Sequence, residues 1–296
     1  MIGELAALGA AISWTVSAML YGKALQQTKP ISANIVRLSC TSAILLILLG
    51  VIAGFGDLRS LRLNTAVLAG VSGIIGLGLG DTLYMVSLKL MGVARAVPIT
   101  CTYPLFNLLL AVLIGEKLTL SLILGAIIIF SGIWLLSYER GNSKGEGQGK
   151  FLFKGVAAAL ATAFLWSASI AMMGVAVKEN PSLNDALVIS TIRIVTVGAL
   201  ILALSPMIDR KHDFLKMKRR TVATLIVGGI VALGLGWFFL AYSFLGIPQS
   251  MAVPISSTTP LFSTLAGIVL LREKVTGRSA LGSVIIVAGI FMIFLV

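Results

Sequence analysis

Residues 91–106, MGVARAVPITCTYPLF, and residues 247–262, IPQSMAVPISSTTPLF, are identical at 8 of 16 positions at a spacing of 156, where chance gives about one. At the same spacing GLGLGDTLYMVSL (76–88) lies over ALGLGWFFLAYSF (232–244), and Arg37 lies over Arg193. Further out, Trp14 and Ser17 match Trp166 and Ser169 at 152, and Gly125 and Gly132 match Gly282 and Gly289 at 157. The small changes of spacing fall in or near loops. The chain is therefore a duplication over nearly its whole length, and every other feature is read twice.

The solvent of this duplicated unit follows from composition. Of 296 residues, 58% are hydrophobic and 11% charged, and the mean hydropathy is +1.04. Water-soluble chains carry about a quarter charged residues, so a soluble domain is excluded. Cys40 and Cys101 sit in apolar runs and supply no disulfide framework, and the lone histidine, His212, supplies no metal cluster. The formal charge of +12 comes from 23 basic residues scattered between apolar segments, which predicts membrane topology signals rather than nucleic-acid binding.

A transmembrane helix needs roughly 20 apolar residues. The runs predict an all-α integral membrane protein with ten spans: 3–22, 33–53, 65–87, 95–114, 119–137, 152–176, 185–205, 221–244, 250–270 and 278–296. The first has no basic leader segment, which argues against a cleaved signal peptide. The halves run from 1 to 137 and from 152 to 296, joined by a polar, glycine-rich linker at 138–151, YERGNSKGEGQGKF, expected to have no structure of its own. Five spans per half is an odd number, so the second half is expected upside down relative to the first. Inverted repeats of this kind let a midplane site open to either side in turn. A structural bundle without transport is the bland alternative.

The loops on one side carry 17 Lys and Arg and those on the other only Arg59, Arg62, Lys117 and Lys178. The positive-inside rule places the basic loops in the cytoplasm and both termini outside a cell membrane. Basic loop 210–220 is expected to rest on anionic headgroups.

The five-plus-five duplication, together with PLFNLLLAVLIGEKLTLSLILGAIIIFSGIWLL from Pro104 and PLFSTLAGIVLLREKVTGRSALGSVIIVAGIFMI from Pro260, resembles the drug/metabolite transporter superfamily, specifically proteins with two EamA domains. The resemblance implies a single-chain carrier of small organic metabolites, often an exporter of amino acids. It also implies a structural role for Glu116 with Lys117 and Glu273 with Lys274 at the span-four-to-five boundary of each half. No cofactor is implied.

Spans four and nine each hold prolines six apart, Pro98 and Pro104, then Pro254 and Pro260. A helical proline lacks the N–H that bonds the carbonyl four residues earlier, so Pro104 and Pro260 free the carbonyls of Thr100 and Ser256. The hydroxyls alongside, Thr100, Thr102 and Tyr103 in one half and Ser256, Ser257 and Thr258 in the other, either satisfy those carbonyls or face a wet cavity. Broken helices at equivalent points of two repeats point to a transport site with the prolines as hinges. The glycines at 76, 78 and 80 lie in continuous apolar helix, so a dinucleotide loop is not supported. Gly76 with Gly80, and Ala232 with Gly236, form small faces for helix packing. Gly125 with Gly132 and Gly282 with Gly289 form similar faces on spans five and ten that pack helices or a second copy as a homodimer.

Arg37, Asp81 and Arg193 lie within spans, where a charge costs about 3 kcal/mol at the helix centre. Arg37 and Asp81 sit near the same end of spans two and three and are expected either to pair, as a gate or proton-linked switch, or to leave Arg37 snorkelling to the interface. In the second half Trp237 stands where Asp81 stands in the first, so Arg193 lacks that partner. Its alternatives are a substrate carboxylate or phosphate held by two hydrogen bonds, freed carbonyls, or Asp185. Trp14, Tyr84, Trp166, Trp237 and Tyr242 suit a mostly apolar pocket, with Ser17 and Ser169 one turn beyond the matched tryptophans. No Walker motif suggests ATP, and no acid, histidine and nucleophile cluster suggests an enzyme. The chain is expected to move a small solute, with a flippase for lipid-linked or phosphate-bearing substrates and a membrane scaffold as the alternatives.

The topology has a direct test. With Cys40 and Cys101 replaced by alanine, a cysteine at Ile2 should react with a membrane-impermeant maleimide on intact cells, and one at Lys144 only after permeabilisation.

Overall fold

Apolar runs of this length have one way to satisfy their own N–H and C=O groups away from water, which is to coil. The computed structural model describes residues 2–52, 61–113, 120–137, 148–179, 182–272 and 276–294. The first half contains α1 (Ile2–Leu25), α2 (Pro30–Ile52), α3 (Leu63–Met91), α4 (Val93–Thr100), α5 (Tyr103–Leu113) and α6 (Leu120–Ser137). The second contains α7 (Gln148–Glu179), α8 (Leu183–Ile208), α9 (Arg219–Gly246), α10 (Gln249–Ser256), α11 (Thr259–Leu271) and α12 (Gly277–Phe294). No strand occurs among the described residues. Seven described stretches are long and apolar enough to cross a membrane, and α6 and α12 contain shorter apolar runs. Residues 148–151 of the linker already belong to α7. The rest of it, and Glu116, Lys117, Glu273 and Lys274, lie outside the described residues.

Local sequence explains the ends. Pro30 opens α2, where its missing N–H costs nothing. Ser182 caps α8 by accepting from the Asp185 backbone N–H at 3.0 Å. Gly92, at φ 79°, makes the turn from α3 into α4 in a conformation that favours glycine.

The distribution of side chains is the reverse of a soluble protein's. Leu79, Ile127, Phe130, Trp134 and Val269 are more than half exposed, while Ser32, Asn34, Thr41, Ser72, Ser167, Ser169, Arg37 and Arg193 are buried. Many buried hydroxyls bond back along their own helix, as Thr15 does to the Ala11 carbonyl at 2.9 Å and Thr162 to the Ala158 carbonyl at 2.8 Å. Hydrocarbon outside and polar groups inside is the arrangement of a multi-pass membrane protein.

Among the described residues the twelve helices correspond one to one, α1 with α7 through α6 with α12. Packing follows an approximate two-fold relation: α1 lies against α9 as α7 lies against α3, while α2 pairs with its own mate α8, and α6 with α12. The glycines of spans five and ten are spent on that last pairing within one chain. A Cβ at Gly132 would stand 2.7 Å from Ile286 Cγ1 and 2.8 Å from the Gly282 carbonyl, and one at Gly289 would stand 3.0 Å from the Gly125 carbonyl.

Within α3 and α9 the helix widens to π geometry over Ile74–Gly80 and Ile230–Gly236, at the same spacing of 156 as the sequence repeat. A π turn shifts each hydrogen bond by one residue and leaves a carbonyl to be answered from elsewhere. In the first half Thr82 Oγ1 donates to the Gly78 carbonyl at 2.6 Å and Thr162 Oγ1 to the Gly80 carbonyl at 3.1 Å. Asn34 Nδ2 lies 3.4 Å from the Leu77 and Gly78 carbonyls. The glycines let these widened turns press on the opposite half: a Cβ at Gly80 would come within 3.0 Å of Trp166, and one at Gly236 within 2.6 Å of Trp14.

The α6–α12 contact yields a stability test. Gly132→Ala should lose about 1–3 kcal/mol through overpacking, seen as a lower melting temperature in detergent. Gly277→Ala, where the Cβ position is open, should stay within about 0.5 kcal/mol of the parent.

Candidate functional site

Where α1 and α3 of one half meet α7 and α9 of the other, the packing leaves a central cavity. Aromatic rings form most of its wall, namely Trp14, Tyr21, Tyr84, Tyr103, Trp166 and Trp237; Ser17, Arg37 and Asp81 are its polar groups, and Ile170, Ala232 and Leu233 complete it. The volume of about 30 Å³ has room for about two waters. The rings hold one another: Tyr84 and Tyr103 lie 5.1 and 6.3 Å from Trp166, and Trp14 meets Trp237 edge-on at 5.3 Å.

Arg37 and Asp81 form a buried ion pair through Nη2 and Oδ2. The other carboxylate oxygen accepts from Trp166 Nε1 at 2.7 Å, so Asp81 ties α2, α3 and α7 together. Arg37 Nε donates to Asn34 Oδ1 at 2.8 Å, and Asn34 Nδ2 in turn reaches Thr82 Oγ1 at 2.7 Å. The guanidinium lies 5.0 Å from the Tyr21 ring centre, and the Tyr21 hydroxyl donates to the Gly228 carbonyl at 2.7 Å. Arg37 does not snorkel; it is anchored on three sides.

Arg193 occupies the equivalent place in the other half with different neighbours. Its Nε donates to Ser72 Oγ at 3.0 Å, Nη2 to Ser169 Oγ at 2.9 Å, and Nη1 lies 2.6 Å from Met173 Sδ. The Trp237 ring covers it at 4.4 Å, a cation–π contact in the place of a carboxylate. Neither Asp185 nor a freed carbonyl is its partner.

The hydroxyls at the helix breaks serve the backbone. The chain turns at Cys101–Thr102 and at Ser257–Thr258. Thr100 and Thr102 donate to the carbonyls of Val97 and Ile99, Ser256 and Ser257 to that of Val253, and Thr258 to that of Ile255, all within 3.0 Å. Thr259 Oγ1 takes the Ser256 carbonyl that Pro260 frees, at 2.9 Å. None of these threonines and serines lines the cavity in this conformation, and neither do Ser169 and Arg193; the named hydroxyls bond other carbonyls of their own helices, and of the two carbonyls freed by the prolines that of Ser256 is taken by Thr259. Tyr103 is the exception, lining the cavity while its hydroxyl meets Ser256 Oγ at 2.8 Å and so joins the two breaks. Pro98 and Pro254 lie inside α4 and α10, and Pro104 and Pro260 just after the turns. Tyr242 stacks on Phe238, away from the cavity.

Tyr21 was not singled out from sequence, although Trp14, Ser17 and Tyr21 share the 3–4 residue spacing of one helical face. At the 152 spacing its mate is Met173, which touches the other arginine as Tyr21 touches Arg37.

The EamA-like transporter family model matches the chain twice, over residues 1–138 and 153–295. The chain belongs to the EamA-like transporter family. An uncharacterized transporter of Archaeoglobus fulgidus is 29% identical over 298 residues, covering 100% of this chain and 99% of that protein. The glucose uptake protein GlcU of Bacillus subtilis is 31% identical over 239 residues, covering 77% of this chain and 78% of that protein. A solved crystal structure superposes with a TM-score of 0.66 over 98% of this chain and 95% of its own, at 22% identity, and shares the fold. This EamA-like protein is a membrane transporter and not an enzyme.

The ion pair at its centre can be dissected. Asp81→Asn and Arg37→Gln should each cost about 3–5 kcal/mol by leaving a buried charge unanswered. The double variant should cost clearly less than the sum, and a melting series in detergent reads the difference.

Proposed function

We propose that this EamA-like transporter is a ten-span secondary carrier whose two inverted five-helix repeats alternate access to the cavity between them, moving small organic solutes of amino-acid size. The observation that carries this is the cavity itself. It lies between the halves, and matched residues of both, Trp14 with Trp166 and Asp81 with Trp237, wall it. A flippase needs a headgroup path open to lipid, and here α1, α2, α3, α5, α7 and α9 all contribute wall. Soluble solutes are therefore favoured over lipid-linked ones.

Room for about two waters is far too little for an amino acid or a sugar, so in this conformation the site is too narrow for its solute, which enters only when the halves part. Contacts between the halves near the basic face would have to break. Lys29 pairs with Asp213, Ser32 Oγ donates to Asp209 Oδ2 at 2.9 Å, and Thr221 Oγ1 to Gln27 Oε1 at 3.0 Å. Lys29 holds the Asp213 carboxyl below the usual carboxylate range, and Asp213 holds the Lys29 amine above its own. The pair therefore persists through neutral pH and is lost as pH falls through the lowered carboxyl value.

A carrier with no motor of its own runs down whichever gradient is present, and a metabolite accumulated in the cell then leaves it. Export of amino acids is the reading we favour for direction and substrate. Monosaccharide transport is the second reading, favoured by the relative that takes up glucose.

The test joins Lys29→Cys to Asp213→Cys with a bifunctional thiol reagent in proteoliposomes. Counterflow of labelled phenylalanine or glucose should fall at least tenfold on cross-linking and return on cleavage of the linker. Equal flux in the cross-linked protein overturns alternating access.

A further inference from the structure

Among the described residues three charged side chains are buried in the middle of the molecule, two arginines and one aspartate, and their sum is one positive charge. The two arginines sit in corresponding cradles. Tyr21 of the Arg37 cradle corresponds to Met173 of the other, Ser17 to Ser169, and Asp81 to Trp237. The carboxylate of Asp81 is fully engaged, one oxygen on Arg37 and the other on Trp166 Nε1. Among the described residues Arg193 is in direct contact only with neutral groups, one of them a thioether, a weak acceptor, and the Asp81 carboxylate acts on it only from beyond hydrogen-bond distance. A guanidinium has five N–H groups. One is used on each of its three nitrogens, which leaves two for an acceptor that this conformation does not provide. The indole of Trp237 covers the guanidinium at 4.4 Å and also lines the cavity, which Arg193 itself does not.

We propose that the solute carries a carboxylate, and that it is received by Arg193 when Trp237 moves off the guanidinium. This rests on the carrier reading above and adds the substrate's charge. A carboxylate has two oxygens for the two unused N–H groups. It also gives the guanidinium the contact with an opposite charge that it otherwise lacks, in a medium where buried charges are paired. In the first half Asp81 already plays that part, so one solute anion completes the pair of cradles.

The test pairs carboxylates with uncharged or amide analogues, using glucuronate with glucose, phenylalanine with phenylalaninamide, and benzoate with benzamide. Binding to the purified protein is read by melting temperature and by tryptophan fluorescence. At least one carboxylate should bind at least tenfold more tightly than its analogue. Trp237→Asp places a carboxylate where the first half has Asp81, and Trp237→Asn has the same shape without the charge. The Asp variant should melt higher than the Asn variant and should lose the preference for carboxylates at least tenfold, while the Asn variant keeps it. The proposal is overturned if the analogues bind as tightly as the carboxylates, if no carboxylate binds, or if the Asp and Asn variants behave alike. Glucose flux that cross-linking blocks, with no preference for carboxylates, overturns this inference and leaves the carrier standing. Carboxylate binding with flux that ignores the cross-link does the reverse.

Discussion

A guanidinium cannot be left alone in hydrocarbon, and this chain buries two of them. The centre of the molecule is organised around answering that requirement. For Arg37 the answer is a carboxylate, an asparagine and a phenol ring, drawn from α1, α2 and α3. For Arg193 it is two hydroxyls, a sulfur and an indole face, drawn from α3, α7 and α9. The second answer reaches across into the other half, since Ser72 belongs to the first repeat and Arg193 to the second. Electrostatic need thus binds the halves together at the point where the cavity lies.

The same need explains why the walls are aromatic. A ring offers an apolar body to its neighbours and a negative face to a cation, so Tyr21 and Trp237 can line a cavity and cover an arginine at once. The widened turns of α3 and α9 bring their glycines against Trp166 and Trp14, which sets the positions of those indoles. Gly132, Gly282 and Gly289 do comparable work at the periphery, letting α6 and α12 meet backbone to backbone and leaving the central helices to carry the polar groups.

Much of this was legible in the residues. The spacing of 156 predicted corresponding elements, and the helices keep it down to the π segments. Arg37 and Asp81 could be suspected as partners because both are costly in a span and lie near the same end of neighbouring ones. The contrast of Asp81 with Trp237 showed that Arg193 would lack the partner that Arg37 has, and left Asp185 open as a substitute. It did not show the indole as the replacement, because a contact with a ring face leaves no mark in a pattern of charges. From sequence, the hydroxyls at 100, 102 and 256–258 fit a wet cavity beside the broken helices better than a purely local role with the backbone. Only geometry separates the two, since a serine that bonds its own turn and one that faces water have the same sequence. Tyr21 escaped notice because its mate is methionine, and a search for matched polar residues passes over a pair that shares a job without sharing chemistry. The exchanged packing of α1 on α9 and α7 on α3 depends on contacts far apart in the chain, which periodicity within one helix does not encode.

The single carboxylate has one more consequence. If the two halves were identical, any rearrangement that swapped their roles would lead to a state of the same energy, because the molecule would be superposable on itself. Asp81 opposite Trp237 breaks that degeneracy. In the alternating-access reading proposed above, the contrast of Asp81 with Trp237 is one of the differences that make the two arrangements chemically distinct states of unequal depth.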